Sequence, residues 1–373
     1  MSNHLTVVQV LPALHSGGVE RGTLEVGKFL SEQGHRSMVI SAGGRLVTDL
    51  EREGSEHIDW DIGKKSLLTL KLIPKLRAFL VENNVDILHV RSRMPAWICY
   101  LAWITIPKKI RPKLITTVHG TYSVNGYSKI MTKGEHVIVV SKAIEDYVIQ
   151  HYSVDTKKLV LNYRGVDHRI FYYDYHPSHN WIEQWKADFP ESRNKQLLTL
   201  PARVTRWKGQ QDFIHIIAKL SIRCPHIHGL VVGDTSTSKT DYLHSLKQLA
   251  IDLGVDDKIS FVGHRSDLQD VMAISSIVMS LSTQPEAFGR ISLEALSMGI
   301  PVIAYAHGGV AEQLDVLLPQ GKVAVADIDA VVDLAEQWLV KPPKVAKHHP
   351  FQLQAMLETT LSVYENALNV DKQ

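Results

Sequence analysis

Over most of its 373 residues the chain alternates between short β-rich apolar runs closed by turn residues and longer stretches with helical periodicity. That alternation is the signature of parallel sheets built from βαβ units. In the first half the runs are LTVVQVL (5–11), SMVISA (37–42), DILHV (86–90), KLITTV (113–118), HVIVV (136–140) and KLVLN (158–162), with helical patterns over 18–33, 67–82 and 141–150. The pattern breaks between Asp167 and Lys195, where aromatics, histidines and prolines gather, and restarts at Gln196 with LLTLP, GLVV, KISFV, IVMSL and PVIAY. The expectation is an α/β protein of two doubly wound Rossmann-like domains, 1–171 and 196–350, joined by a linker over 172–195. A cleft between the carboxyl ends of the two sheets would hold the ligand. The amphipathic segment 351–373 either closes the second domain or crosses back to the first.

Length and composition agree. A chain of 373 residues exceeds one ordinary core and suits two domains of roughly 150 to 200 residues. A net charge of +2 is too small to argue for nucleic acid, and none is expected as a partner. The two cysteines, Cys99 and Cys224, lie in different halves and form neither a disulfide framework nor a zinc motif, which fits a reducing cytoplasm. The amino terminus runs directly into a strand-like segment with no basic region or cleavage site, so no export signal is expected. The longest apolar run, Trp97 to Ile106, is bracketed by Pro95 and Pro107 and has about half the length of a bilayer span.

The stretch QPEAFGRISLEALSMGIPVIAYAHGGVAE, 284–312, places Glu286 in a loop and Glu294 in the second turn of a helix that starts at Gly289 and is stopped by Gly299-Ile-Pro301. Eight residues of full helix span about 12 Å, whereas a glycosidase needs two carboxyls roughly 5 to 9.5 Å apart across one bond. The pair more naturally grips two ends of one long ligand. Ionised carboxylates only accept hydrogen bonds and suit pairs of sugar hydroxyls; the N–H groups of Gly289, Arg290 and Ile291 at the helix start suit phosphate. A ligand carrying sugar, diphosphate and ribose in that order fits, which is a nucleotide-sugar. Glycine turns at HSGGVE (15–20) and HGGVAE (307–312) both lie at strand ends, where bare backbone N–H groups can meet an anion.

The same stretch resembles the Glu-x7-Glu signature and following glycine loop of family 4 glycosyltransferases, retaining enzymes of the GT-B fold. The resemblance extends over most of the chain. HSGGVERG is similar to the family's first glycine loop, TTVHG to its His-Gly, and VVSKAIEDY and YRGVDHRIF to the stretches closing the first domain. ARVTRWKGQ is similar to the Gly-Arg-x4-Lys-Gly segment, with Ala202 where the family has glycine, and KISFVGHRSDLQDVMAISSIVMSLS to the base-binding loop and following strand. The resemblance implies that Glu294 binds the ribose hydroxyls, Glu286 the transferred sugar, and Arg203 and Lys208 the diphosphate. It further implies that His119 touches the donor sugar near the scissile bond, that Gly17 and Gly18 admit phosphate and acceptor, and that His264 and Arg265 lie in the base-binding loop.

The implied activity is transfer of a hexose-type sugar from a nucleotide-diphosphate sugar to a glycan or glycolipid acceptor, in bacterial envelope polysaccharide or lipopolysaccharide synthesis, with retention and without a cofactor or metal. Two rivals stay open: a nucleotide-sugar epimerase on the same fold, and a non-catalytic nucleotide-sugar-binding subunit. Asp59-Trp60-Asp61 and Asp327-Ile328-Asp329 have the spacing of a metal-binding triplet but lack further acids beside them, and His226-Ile227-His228 and His348-His349 lack the remaining ligands of a zinc site. Residues 1–180 carry 23 basic and 17 acidic side chains, and the segment from Ile87 to Gly134 has no acid at all. With Trp97, Tyr100 and Trp103 this gives two readings: a face for an anionic membrane or acceptor, or a packing helix followed by a solvated basic loop. Leu67 to Leu80, interspersed with Lys71, Lys75 and Arg77, is a second candidate for that face. The expected location is cytoplasmic, peripheral to the inner face of the cell membrane if the basic face binds lipid.

Overall fold

The apolar runs become strands in a computed structural model that describes residues 4–15, 17–234 and 240–369. Ser16 of the first glycine turn and residues 370–373 of the expected carboxyl-terminal segment lie outside the described residues. The chain divides into two compact units, Met1–Arg164 together with Gln354–Gln373, and Gly165–Leu353.

The first unit is built on a seven-stranded sheet of β1 (Thr6–Val10), β2 (Arg36–Ser41), β3 (Glu56–Asp59), β4 (Ile87–Val90), β5 (Lys113–Val118), β6 (His136–Val139) and β7 (Leu159–Leu161), ordered β3-β2-β1-β4-β5-β6-β7. Every pairing is parallel. The chain steps outward from β1 to β3, then reverses across β1 to β4, so Val10 pairs with Ile40 on one side and Val90 on the other. Such a sheet carries helices on both faces and needs apolar side chains on both. All four residues of β4 are buried accordingly.

The second unit repeats the plan with β8 (Gln196–Pro201), β9 (Ile227–Val232), β10 (Ile259–Gly263), β11 (Ile277–Ser280), β12 (Val302–Tyr305) and β13 (Lys322–Val323), ordered β10-β9-β8-β11-β12-β13. Its reversal lies between β8 and β11. At such a point the loops leaving the two carboxyl ends diverge to opposite faces and open a crevice above the sheet. In the second unit Arg203, Lys208, Glu286 and Glu294 follow the two strands at this reversal, whereas His264 and Arg265 follow the edge strand β10.

Two segments differ from expectation, and a third takes one of the two courses left open for it. The pattern over 67–82 divides into a 3-10 turn, Leu67–Lys71, and a helix, Leu72–Glu82. The interval expected as a linker contains a helix, His179–Asp188, whose cap Ser178 accepts from the Trp181 N–H. Trp185 of that helix is buried against Leu197, Leu230, Val232 and Val271. Trp181, Trp185 and Phe189 repeat every fourth residue and stack on one face, with ring centroids 5.4 and 4.4 Å apart. Burying Trp185 fully and Trp181 and Phe189 in part outweighs the polar composition that made the segment read as a connector. The last helix, Leu353–Asn369, buries Met356, Leu357, Thr360, Val363, Tyr364 and Ala367 on one face. From Gln354 onward it belongs to the first unit, where Asn162 Nδ2 donates to Met356 O at 3.0 Å and Thr360 Oγ1 at 2.9 Å. The apolar run at 97–106 forms most of a twelve-residue helix, Arg93–Ile104. Among the described residues no helix is long and apolar enough to cross a membrane.

Candidate active site

In the second unit Arg203, Lys208, Glu286 and Glu294 leave the sheet on either side of its reversal. After β8 the chain passes through Ala202 and Arg203 into a turn in which the Lys208 N–H donates to Thr205 O at 3.0 Å. The Thr283 N–H donates to Trp207 O at 2.8 Å, tying the loop after β11 to this one. Gly209, at φ +77°, is where the two loops touch: a Cβ there would fall 2.1 Å from Leu281 O, so the position requires glycine. Lys208 is held in consequence, its Nζ 4.3 Å from the Trp207 ring centroid and 2.8 Å from Glu286 Oε1. Arg203 remains exposed on the same loop, and its carbonyl accepts from Gln210 Nε2 at 2.9 Å. Ala202 has no positive φ, so its backbone does not need the family's glycine. The close approach is made from the other side, where a Cβ on Gly233 would fall 2.0 Å from Ala202 O.

Glu286 is braced through its carboxylate and its backbone. Ser282 Oγ donates to Oε1 at 2.5 Å beside Lys208, and Ser282 O accepts from His307 Nε2 at 2.6 Å. The Gly309 N–H donates to Glu286 O at 2.9 Å. A Cβ on Gly308 would fall 2.4 Å from Glu286 O, and one on Gly309 2.5 Å from Phe288 Cα. The glycine pair therefore lets one loop lie directly on another. This corrects the expectation that its N–H groups are bare: that of Gly309 is spent on Glu286.

The helix Arg290–Ser297 begins at Gly289 as the sequence implies. Its first-turn N–H groups, Arg290 and Ile291 among them, have no intrahelical acceptor and stand at the positive end of the helix dipole. The Gln313 side chain fixes the entry to this helix by donating to the carbonyls of Phe288 and Gly289. Glu294 follows in the second turn, only 3% exposed, with Arg290 Nε 4.0 Å from its Oε1. Within this unit the fold thus brings Lys208 onto Glu286, sets Gly289, Arg290, Ile291 and Glu294 along one helix start, and leaves Arg203 on the adjoining loop.

The first unit has its own polar cluster at the carboxyl ends of β1, β4 and β5. His119 directly follows β5, and its N–H donates to the Tyr122 hydroxyl at 3.2 Å. Its Nδ1 receives Arg164 Nη2 at 2.8 Å. His119 Nε2 is buried and has no partner among the described residues. Below it His89 lies between the Tyr364 hydroxyl and Thr117 Oγ1, each at 2.6 Å, and Arg91 Nη2 donates to Gln9 Oε1 at 2.6 Å. Burial first, then the positive Arg164 and Arg91 and the adjacent His89, hold the His119 imidazole well below the ordinary histidine range. Gly17 precedes the helix Gly18–Glu32 with φ +135°, and Gly18 is its first residue.

Other candidates have different work. Arg265 gives both Nε and Nη2 to the Asp267 carboxylate, at 2.8 and 2.5 Å, and its guanidinium lies 5.6 Å from the Trp185 ring centroid. It braces the aromatic helix rather than presenting a free cation; its neighbour His264 is exposed. Asp327 caps the helix Ile328–Val340 and Asp329 pairs with Lys219. His228 meets Ser260, and His349 meets Ser297. Among the described residues no group of three His, Cys, Asp or Glu side chains is placed to hold a metal ion.

The aromatics of the basic segment are tied inward. Trp97 Nε1 donates to Tyr127 O and Trp103 Nε1 to Pro112 O, while Arg111 lies 4.5 Å over the Trp103 ring. Lys108, Lys109 and Ile110 are exposed, as are Leu67 at 85% and Leu68 at 68% beside Lys64, Lys65 and Lys71. The exposed apolar side chains of these two segments are therefore Leu67, Leu68, Leu70, Ile104 and Ile110, not the tryptophans.

Sequence reading missed Ser282, His307, Arg91 and Arg164. His307 is adjacent to the glycine pair and Arg164 lies in YRGVD, but their contacts reach 25 and 45 residues along the chain, and no local spacing marks them.

Comparison with known proteins agrees with this arrangement. Residues 16–169 match the model of Glycosyltransferase Family 4, and residues 182–349 that of Glycosyl transferases group 1. The chain is 31% identical to a glycosyltransferase from Rickettsia africae ESF-5 of known structure, with a TM-score of 0.84, covering 98% of this chain and 99% of that one. It is 26% identical over 344 residues to N-acetyl-alpha-D-glucosaminyl L-malate synthase of Bacillus anthracis, 88% of this chain and 85% of that protein. The Anabaena protein Alr3699/HepE, solved in complex with UDP-glucose, shares the fold at a TM-score of 0.79 and 20% identity, over 99% of this chain and 100% of that one.

Proposed function

The chain belongs to the family 4 glycosyltransferases of the GT-B fold, and on that premise we propose that it moves a hexose-type sugar from a nucleotide-diphosphate donor to a glycan or glycolipid acceptor, with retention and without a metal. The observation that carries the donor reading is the second unit's constellation: Lys208 on Glu286, the helix start at Gly289 and buried Glu294, all on loops leaving one sheet reversal. In this reading Arg203, Lys208 and the N–H groups of Gly289, Arg290 and Ile291 hold the diphosphate, Glu294 the ribose and Glu286 the sugar. Gly17, Gly18 and His119 of the first unit serve the acceptor and sugar. The loop of His264 and Arg265 reads the base through its backbone. Binding of UDP-glucose by the Anabaena neighbour supports a uridine donor, and the basic first half supports an anionic acceptor or lipid surface in bacterial envelope synthesis.

Titration calorimetry tests the polarity of the donor. Glu294→Gln is expected to weaken both UDP and UDP-glucose, by about tenfold for one lost charge-assisted hydrogen bond. Glu286→Ala is expected to spare UDP and weaken only the intact donor. The reverse pattern would mean that the ligand runs the other way.

Turnover is expected to persist in EDTA, because fixed cations and a helix terminus supply the charge that a metal supplies elsewhere. Loss restored by magnesium or manganese would reopen the acidic triplet at Asp59.

Binding to liposomes is expected to require anionic lipid and to fade with salt, since exposed lysines act over about 8 Å at physiological ionic strength. Lys108→Glu and Lys109→Glu combined with Leu67→Ser and Leu68→Ser should abolish it; unchanged binding would assign this surface to solvent.

A further inference from the structure

We propose that Arg164 is a positioning residue that fixes His119 as a neutral hydrogen-bond donor through Nε2, so that the imidazole serves sugar transfer as a set dipole and never as a general base. The inference rests on the placement of His119 in the transfer site and adds what the ring does there.

The argument begins with donor chemistry. A guanidinium has five N–H groups and no acceptor. Arg164 Nη2 stands 2.8 Å from His119 Nδ1, so Nδ1 must carry the lone pair. In a neutral ring the single proton then sits on Nε2. That nitrogen is buried without a partner among the described residues, and it is the one position from which the ring can donate to a sugar hydroxyl or phosphate oxygen. Protonating Nδ1 would set two donors against each other.

Arg164 cannot easily turn aside to allow this. It is only 7% exposed and is enclosed by three elements. Gly22, in the helix Gly18–Glu32, makes room for it: a Cβ there would fall 2.6 Å from Arg164 Nη1. The last helix approaches from another side, with Met356 Sδ 3.6 Å from Nη1, and the end of β5 supplies His119 itself.

The other groups around the ring act in the same direction or are neutral. His89 and Arg91, from β4 and the residue after it, both disfavour a positive His119, as Arg164 does. The Tyr122 hydroxyl in the loop after β5 accepts from the His119 backbone N–H. Tyr364 on the last helix acts on His89, and Glu25 on the first helix acts on Arg91. Burial is the largest cause of the depression, and the charges add to it. The ring therefore keeps one proton, at Nε2, through the range around pH 6.5 in which a free histidine titrates.

Long-range proton–nitrogen NMR on the full chain, labelled with 15N-histidine, tests this, with His119 signals identified by their loss in His119→Gln. The wild type is expected to show the Nε2–H form alone, with shifts that do not move between about pH 8 and pH 6. Arg164→Met keeps length and packing but removes donor and charge, and its His119, still buried beside Arg91, should stay neutral in that window but show both tautomers. A wild-type His119 that titrates in the window, or that carries its proton on Nδ1, overturns the proposal whether or not the variant folds. So does an Arg164→Met spectrum identical to wild type. A wild type that shows the fixed tautomer yet turns over no donor strikes the transfer-site placement of His119 and leaves the Arg164 lock standing, which separates the two failures.

Discussion

Lys208→Ala and Arg203→Ala are each expected to lower turnover by about 100-fold or more while the fold survives. Bond breaking leaves a diphosphate of growing negative charge, and removing one fixed partner of such a charge costs roughly 3 to 4 kcal/mol in the transition state. Lys208 is fixed by its surroundings: Trp207 lies beneath its ammonium and Glu286 Oε1 stands 2.8 Å away. Alanine at 208 also leaves Glu286 with Ser282 alone on that oxygen, so two effects overlap and a double-mutant cycle with Glu286→Gln must separate them. If Lys208 acts only by holding Glu286, the double variant will be no slower than Glu286→Gln. If it also stabilises the leaving phosphate, the double variant will lose a further factor of the same order. Arg203 is exposed and carries no comparable structural duty, so its loss reads on the ligand directly. Circular dichroism alongside the rates establishes that the fold is intact, and near-wild-type turnover in both single variants would remove the diphosphate assignment.

The sequence made the two sheets legible because a strand buried on both faces is written as an unbroken apolar run. It failed where burial is partial. The strand Glu56–Asp59 reads EHID, lies at the sheet edge and has no fully buried residue, while Lys322–Val323 is two residues long. The helix His179–Asp188 was obscured for a different reason: its aromatics sit among histidines and charges that suggest a connector, and only packing against Leu197 and Val271 reveals it. The site divides along the same line. Glu286, Gly289 and Glu294 are close in sequence, so local spacing exposes them, whereas the Arg164–His119 and His307–Ser282 contacts exist only once distant strands are ordered. Arg265 shows the converse: a cation in the expected loop is taken by Asp267 two residues on, a local pairing visible in sequence but outweighed there by motif similarity.

The product is expected to keep the donor's anomeric configuration, an α-linked sugar from an α-donor. Inversion needs a general base within hydrogen-bond reach of the acceptor hydroxyl, on the face opposite the leaving diphosphate. Double displacement needs a nucleophile on that opposite face. His119 is a poor base here, because its one lone pair faces Arg164 and its other nitrogen holds the proton. Glu286 is equally ill-suited as a nucleophile: Lys208 and Ser282 both hold Oε1, which disperses the charge that attack would require. The groups in hand instead favour departure. Lys208, Arg203 and the helix start at Gly289 would stabilise a diphosphate as it leaves, and an oxygen of that leaving group would take the incoming hydroxyl's proton. Attack then comes on the face the phosphate has just vacated, and configuration is kept. Proton NMR of product formed early in the reaction decides the matter through the anomeric coupling. A coupling that shows inversion would exclude same-face attack and direct the search for a base to Glu20, the acidic residue in the first turn of the helix after Gly17.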